Sequence, residues 1–388
     1  QDWLEEAETD TADRLESDLF REDDGSEPQS GWRNTADGAP FGEKDLSVQS
    51  DTAFSYGYSQ LSGDEEQLYR EILNSLISYQ EETELSVKDP EMVERVFRYV
   101  MADHPEIFYA DGYEVTTYRL GTELRRITFT GTWTLESDEV LSRRAQLEAA
   151  AALWLEGLPD GTDDFEKVKY IYDALILRTE YEQGSADSQT ICSVLLNQRS
   201  VCQGYAKTFQ YLCQLAGIPA MLVTGDVNGE GHAWNIVFLD GDWYYIDPTW
   251  GDASYQREEG EETPALTETV NYDYFCVTTQ EIERTHSMDD NQLLPVCNAV
   301  QDQYYRHEGL YLQSADKEKI DEIFARAAQK GAPMVCFQCA DDTVYQEVYR
   351  LLIEEQGIFA YLPESETTAA YLDSDRERTF YFWFTEVS

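Results

Sequence analysis

Apolar side chains recur along this chain with two periods, and the switches between them mark its elements. Across residues 64–80, Leu68, Tyr69, Ile72, Leu73, Leu76 and Ile77 share one face of a repeat of about 3.6 residues, which predicts an amphipathic helix. Asp89-Pro90 opens a second helix, with aspartate as cap and proline in the first turn. Met92, Val93, Val96, Phe97 and Val100 are its stripe, and His104-Pro105 ends it. Residues 107–109, 114–120 and 125–133 read as strands, and 137–158 as an Ala-rich helix. Phe165, Val168, Ile171 and Leu175 mark a helix expected to pack behind a later one, residues 207–215, which Gly217 and Pro219 stop.

Period two then takes over. Residues 220–224 form a short apolar strand ended by Gly225, and a polar loop, 226–231, leads into an alternating strand over 232–239. Asp240-Gly241 is a two-residue hairpin turn, and residues 243–247 return as the partner strand before Pro248. Residues 272–277 read as a closing strand. The tail alternates strand (304–312), helix (316–330), strand (334–339), helix (342–355) and strand (379–384), the pattern of a small α/β unit.

The hairpin has a chemical consequence. With Asp240-Gly241 as the turn, Phe238 faces Trp243 and Trp234 faces Asp247. Alternation puts His232, Trp234, Ile236 and Phe238 on one face and Trp243, Tyr245 and Asp247 on the same face of the partner. His232 and Asp247 are then diagonal neighbours, about 7–8 Å apart at the backbone. Upstream, Cys202 lies where an irregular segment turns into a helix, and there the helix dipole and free N–H groups favour thiolate over thiol. Alone, Cys202 reads as a small buried hydrophobe, His232 as a structural histidine and Asp247 as a strand-end cap. Together they are the parts of a Cys-His-Asp triad, with His232 as base and Asp247 as its orienting carboxylate.

The segments Val201-Cys202-Gln203-Gly204-Tyr205-Ala206, Gly231-His232-Ala233-Trp234-Asn235 and Tyr245-Ile246-Asp247-Pro248-Thr249-Trp250 resemble the bacterial transglutaminase-like superfamily. The resemblance covers residues 163–252. It implies a papain-like fold and assigns the catalytic positions to Cys202, His232 and Asp247. The flanks, including His104-Pro105-Glu106-Ile107-Phe108-Tyr109, resemble clostridial surface proteins that carry this module. The N–H of Cys202 is one candidate oxyanion donor. Gln189, which resembles a Gln at that place in related clostridial sequences, is the candidate side-chain donor; it reads equally as a cap of the helix over 190–196. Tyr205, Trp234 and Trp250 are candidate substrate contacts beside the triad, with core packing the equal alternative for Trp234. His104 reads as a helix-ending structural residue, and His286, without a strand context beside a carboxylate, ranks well below His232.

Composition narrows the function. The chain has 388 residues with 28 Lys plus Arg against 77 Asp plus Glu, a formal charge of −49. That excludes a general binder of nucleic acid or anionic membrane and suits a self-repelling extracellular protein with a preference for basic substrates. There is no apolar span long enough for a bilayer, and the start at Gln1 is expected to be that of a mature form trimmed of a signal peptide or lipid anchor. The seven cysteines form no disulfide framework, because most sit in apolar runs and Cys336 and Cys339 point to opposite faces of a strand. With four histidines, no metal cluster stands out, and no cofactor is expected.

The expected architecture is α+β: a papain/transglutaminase-like core (161–300) between an N-terminal α+β domain (61–160) and a small C-terminal α/β domain (301–388). An acidic disordered stalk (1–60) precedes them, and an acidic solvated loop covers 256–263. The expected activity is that of a surface-exposed cysteine peptidase or amidase on a peptide or protein substrate, lysine-rich or associated with the cell wall. The alternatives are a protein-glutamine gamma-glutamyltransferase and a non-catalytic surface binding module.

Overall fold

The computed structural model describes residues 55–158, 161–252, 270–290, 292–362 and 370–383, with the two-residue strand Ala7–Glu8. The expected stalk lies almost wholly outside the described residues, and the loop 256–263 lies outside them altogether.

Helices α1 (Asp64–Ile77) and α2 (Pro90–Asp103) follow the apolar stripes. Asp89 caps α2 by accepting the N–H groups of Glu91 and Met92, while Pro90 stands where no N–H is needed. The long hairpin β1 (Ala110–Leu120) and β2 (Glu123–Trp133) packs with these helices, and α3 (Ser137–Leu155) follows. Residues 107–109 are not the strand expected. They form a turn begun by Ile107 N–H donating to His104 C=O at 3.0 Å, and their apolar side chains are buried because the turn lies inside the fold.

The thiol-bearing unit comprises α4 (Asp164–Arg178), α5 (Ile191–Asn197), α6 (Cys202–Leu215) and an antiparallel sheet. As the stripe predicts, α4 packs against α6. At the end of α6, Gly217 adopts φ 80°, Ile218 N–H donates to Cys213 C=O at 2.8 Å and Gly217 N–H to Gln214 C=O at 3.1 Å. This is a Schellman stop, which needs a left-handed residue.

The sheet contains β3 (Ala220–Val227), β4 (Glu230–Leu239), β5 (Asp242–Ile246) and β6 (His286–Met288), in the order β6-β3-β4-β5. Pairing of β4 with β5 has the expected register, Leu239 with Asp242 and Phe238 with Trp243. Two expectations fail here. Strand β3 continues past Gly225 to Val227, and the polar loop contracts to the turn Asn228-Gly229, with φ of 58° and 90°. Gly225 is a crossing point, because a Cβ there would lie 2.0 Å from the Ser287 carbonyl and 2.8 Å from the Trp234 ring. Residues 272–277 make no strand either. They pair with the sheet through one bridge, Val277 to Tyr245, and Cys276 at φ 55° breaks the extended run.

In the tail, Tyr311–Leu312 pairs parallel with β7 (Met334–Cys339), which is followed across the sheet by β9 (Thr379–Trp383) and β8 (Ala370–Ser374). Helices α7 (Lys317–Lys330) and α8 (Asp342–Tyr349) complete the unit. Along β7, Cys336 faces the main core and Cys339 the tail's own core, as alternation requires. The main core runs without a break from α1 through α6 to β9, so residues 61–160 and 161–300 share one apolar interior. No helix among the described residues is long and apolar enough to cross a membrane.

Candidate active site

Cys202 is the first residue of α6, entered from extended Val201. The opening N–H groups of a helix lack intrahelical partners, so the thiol stands at a positive, donor-rich end. The approach is pinned: Ser200 Oγ donates to Ser188 C=O at 2.8 Å and lies 2.7 Å from Ser193 Oγ. Only glycine fits two residues after the cysteine, since a Cβ at Gly204 would lie 1.9 Å from Ser200 Oγ and 2.6 Å from the Ser188 carbonyl oxygen. Ala206, Leu222 and Ala233 pack around Cys202, which keeps 9% of its surface exposed.

The hairpin delivers the imidazole and the carboxylate as its register predicts. His232 Nε2–H donates to Asp247 Oδ2 at 2.8 Å. An ionised carboxylate only accepts, so the proton belongs on Nε2. Cys202 acts electrostatically on the ring, and Nδ1 is the nitrogen that Asp247 leaves free to face it. Burial pushes the His232 pKa down, but the Asp247 charge and hydrogen bond, and then the Cys202 thiol, outweigh it and raise the value to about 10. Asp247 is fully buried, which alone would raise its carboxyl. His232 and then His286 hold it below the usual carboxylate range. Its Oδ1 accepts the N–H groups of Thr249 at 2.8 Å and Trp250 at 3.1 Å.

His286 is the residue that sequence reasoning missed. It sits on β6, fully buried, and its Nε2–H donates to Asp247 Oδ2 at 3.0 Å, the same oxygen that His232 uses. Its Nδ1 shares a 2.7 Å hydrogen bond with the Thr285 hydroxyl. Trp234, Trp250 and Tyr274 surround the ring at centroid distances of 4.8, 5.1 and 5.7 Å. A three-residue strand carries no readable period, and its partners, Gly225 to Val227, belong to the part of β3 that the glycine hid. His232, Asp247 and His286 also offer atoms within 4.8 Å of one another that could ligate a metal, a grouping that the histidine count did not suggest. Those atoms are already hydrogen-bonded to each other at 2.8 and 3.0 Å, closer together than the roughly 3.3 Å that separates two ligands on one tetrahedral zinc with bonds of about 2.0–2.2 Å.

The remaining candidates divide. Thr190, not Gln189, caps α5, its Oγ1 accepting Cys192 N–H at 3.2 Å. Half-buried Gln189 directly follows Ser188, whose carbonyl lies against the first turn of α6. Tyr205 and Trp234 are fully buried and offer a substrate no surface, contrary to the expected contact role. The Tyr205 hydroxyl bonds Asp252 Oδ2 at 2.9 Å and Thr179 C=O at 3.0 Å, because it points from α6 into the core. Trp234 lies under the site, stacked on His232 at 5.9 Å. Trp250 is half-buried, edge-on to His232 at 6.5 Å. His104 is tied to Glu106 by a 2.7 Å bond at the end of α2.

A thiol opening a helix, met by an imidazole and a carboxylate from a sheet packed on that helix, defines the class of Cys-His-Asp proteins with a transglutaminase/papain-like α+β core. Residues 155–248 match the family model of the transglutaminase-like superfamily, and the chain carries a domain of that superfamily. The human kyphoscoliosis peptidase is 34% identical over 111 residues, covering 24% of this chain and 17% of that protein. The chain therefore spans 17% of the length of that curated relative. Two crystal structures are similar at low identity. A TGase is 15% identical over 40% of this chain and 47% of its own, with a TM-score of 0.26. The periplasmic domain of TgpA from Pseudomonas aeruginosa is 14% identical over 38% and 76%, with a TM-score of 0.24.

Proposed function

We propose that this protein is an extracytoplasmic thiol enzyme that hydrolyses peptide or side-chain amide bonds through Cys202, His232 and Asp247. The observation that carries the reading is the tautomer: Nε2–H of His232 is committed to Asp247, which leaves Nδ1 to take the thiol proton. The thiolate attacks the amide carbonyl carbon, a C–S bond forms, and the carbonyl electrons move to oxygen. Cys202 N–H faces that oxyanion, with Gln189 as the side-chain donor. The imidazolium then gives its proton to the departing nitrogen as the C–N bond breaks, leaving a thioester on Cys202. Water, deprotonated by His232, cleaves the thioester and restores the thiol. Trp250 borders the cleft for the acyl chain.

A formal charge of −49 favours one variant of this reading, in which a lysine amine on a basic or cell-wall-associated protein replaces water and the product is an isopeptide. The same acidic, self-repelling composition supports the extracytoplasmic location, which fractionation of the source cells tests. For the site itself, an iodoacetamide label is expected on Cys202 and not on the other six, buried cysteines, and it disappears in Cys202→Ala. Labelling that survives in the alanine variant, or none in the parent, sinks the proposal. Ammonia leaves a glutaminyl peptide on either route as the thioester forms, so conversion of the glutamine to glutamate, against incorporation of an added primary amine, separates hydrolysis from transfer.

A further inference from the structure

We infer that His286 is a positioning residue of the triad: its Nε2–H holds Asp247 as an ionised, acceptor-only carboxylate and so fixes the tautomer of His232. This inference rests on the triad reading above.

Asp247 is fully buried, and its Oδ2 has two N–H donors, His232 at 2.8 Å and His286 at 3.0 Å. The two histidines are held by different means. His232 moves protons and belongs to the hairpin. His286 is fixed without it, by pairing with Val227 across β6 and β3, by the Thr285 hydroxyl on Nδ1, and by the indoles of Trp234 and Trp250. An ionised carboxylate only accepts, so the ring nitrogen of His286 that faces Asp247 carries its proton, while Nδ1 lies 2.7 Å from the Thr285 hydroxyl. A hydrogen-bonded chain therefore links Thr285 to His286 to Asp247, and its last donor, His286 Nε2–H, meets the oxygen that orients the catalytic ring.

Removing the second donor leaves Oδ2 of a buried anion with one partner. Its protonated form becomes easier to reach, because the charged form has lost a hydrogen bond without gaining water. Once Asp247 carries a proton it can donate to His232 Nε2. The ring then holds its own proton on Nδ1, facing Cys202, and has no lone pair for the thiol. The titratable groups around His286 are Asp247, His232 and Tyr274, the last with its hydroxyl engaged by Glu377. On the paired strand, the Asp226 carboxylate is turned away to the Gly229 N–H in the hairpin turn.

The test uses the full chain and needs no substrate: the rate of Cys202 alkylation by iodoacetamide as a function of pH. His286→Gln can present an amide N–H where Nε2 stands, whereas His286→Asn is polar but too short, and His286→Leu has no donor. The parent and the Gln variant are expected to react alike. The Asn and Leu variants are expected to be about 10- to 100-fold slower near pH 6 and to converge with the parent near pH 10, where any thiol is ionised. The Gln and Asn pair decides the matter even if the Leu variant does not fold. Equal rates for all variants near pH 6 overturn the role of His286 and leave the triad standing. A slowing of the same factor at every pH also overturns it, since packing alone explains that result. A parent no faster near pH 6 than a free thiol overturns the triad reading, and this inference with it.

Discussion

Asp247 has no exposed surface, yet each of its oxygens has two N–H donors: Thr249 and Trp250 on Oδ1, His232 and His286 on Oδ2. Such a carboxylate costs little to bury because every lone-pair direction is used, and it can only accept. Asp247→Asn breaks that condition. The backbone N–H groups take the amide oxygen, so the amide NH2 faces His232 Nε2, which must then accept and carry its proton on Nδ1. Turnover is expected to fall by about 10⁴-fold, as with the wrong tautomer in other triads, while the fold survives. The same pair links folding to pH. The raised His232 pKa adds stability that is complete below its unfolded value of about 6.5 and is lost as pH rises through about 10. The depressed Asp247 pKa adds stability above about pH 3.9 that is lost as pH falls below it. Urea midpoints of the parent and of Asp247→Asn should therefore differ most near pH 5–6 and approach each other by about pH 11. A gap that stays constant across that range would show that the ion pair contributes nothing to folding.

At the scale of elements, the site depends on how closely three strands cross. Gly225→Ala would place a Cβ 2.0 Å from the Ser287 carbonyl, a backbone atom that cannot swing aside, so β6 must separate from β3. A loss of about 1–3 kcal/mol in a urea titration is expected, together with displacement of His286 and slower alkylation of Cys202. Gly231→Ala, one residue before His232 and open on all sides, is the control and should be neutral in both measurements. A tolerated Gly225→Ala would mean that β6 is not held where the site needs it. The same crossing explains what the sequence could and could not disclose. Asp240-Gly241 fixes every pair between β4 and β5, so the meeting of His232 with Asp247 is legible in the order of the residues alone. Asn228-Gly229 is an equally strong turn, but the polar run around it reads as a loop, which shortens β3 and leaves His286 with no strand to join. The burial of Tyr205 and Trp234 is hidden for another reason. Periodicity gives the face a side chain occupies, and it does not say whether that face meets a cleft or the packed interior.

For the molecule as a whole, two buried acids join the outer units to the thiol-bearing core. Asp103 accepts from Gly57 N–H, Tyr58 N–H and the Tyr69 hydroxyl, while the C=O groups of Ala102 and Asp103 accept from Gln210 and Gln214 on α6. Asp273 accepts from the hydroxyls of Tyr305, Thr379 and Tyr381, which tie the tail sheet to the core. Burial raises the pKa of each carboxyl to about 6. The folded protein therefore binds more protons than the unfolded chain between about pH 4 and 6, and its stability must fall as pH rises through that window. The gain on acidification is at most about 3 kcal/mol per group. The His232 contribution is already complete below about pH 6.5 and that of Asp247 persists down to about 3.9, so neither opposes it. Self-repulsion from a formal charge of −49 relaxes in the same direction, but salt screens that part and leaves buried carboxyls untouched. Tm is accordingly expected to rise from about pH 6.5 to 5.0, with most of the rise surviving in about 0.5 M salt and disappearing in the double variant Asp103→Asn, Asp273→Asn. A rise that salt abolishes would assign it to the surface charge, and a fall on acidification would mean that both carboxyls are ionised without cost where they are buried.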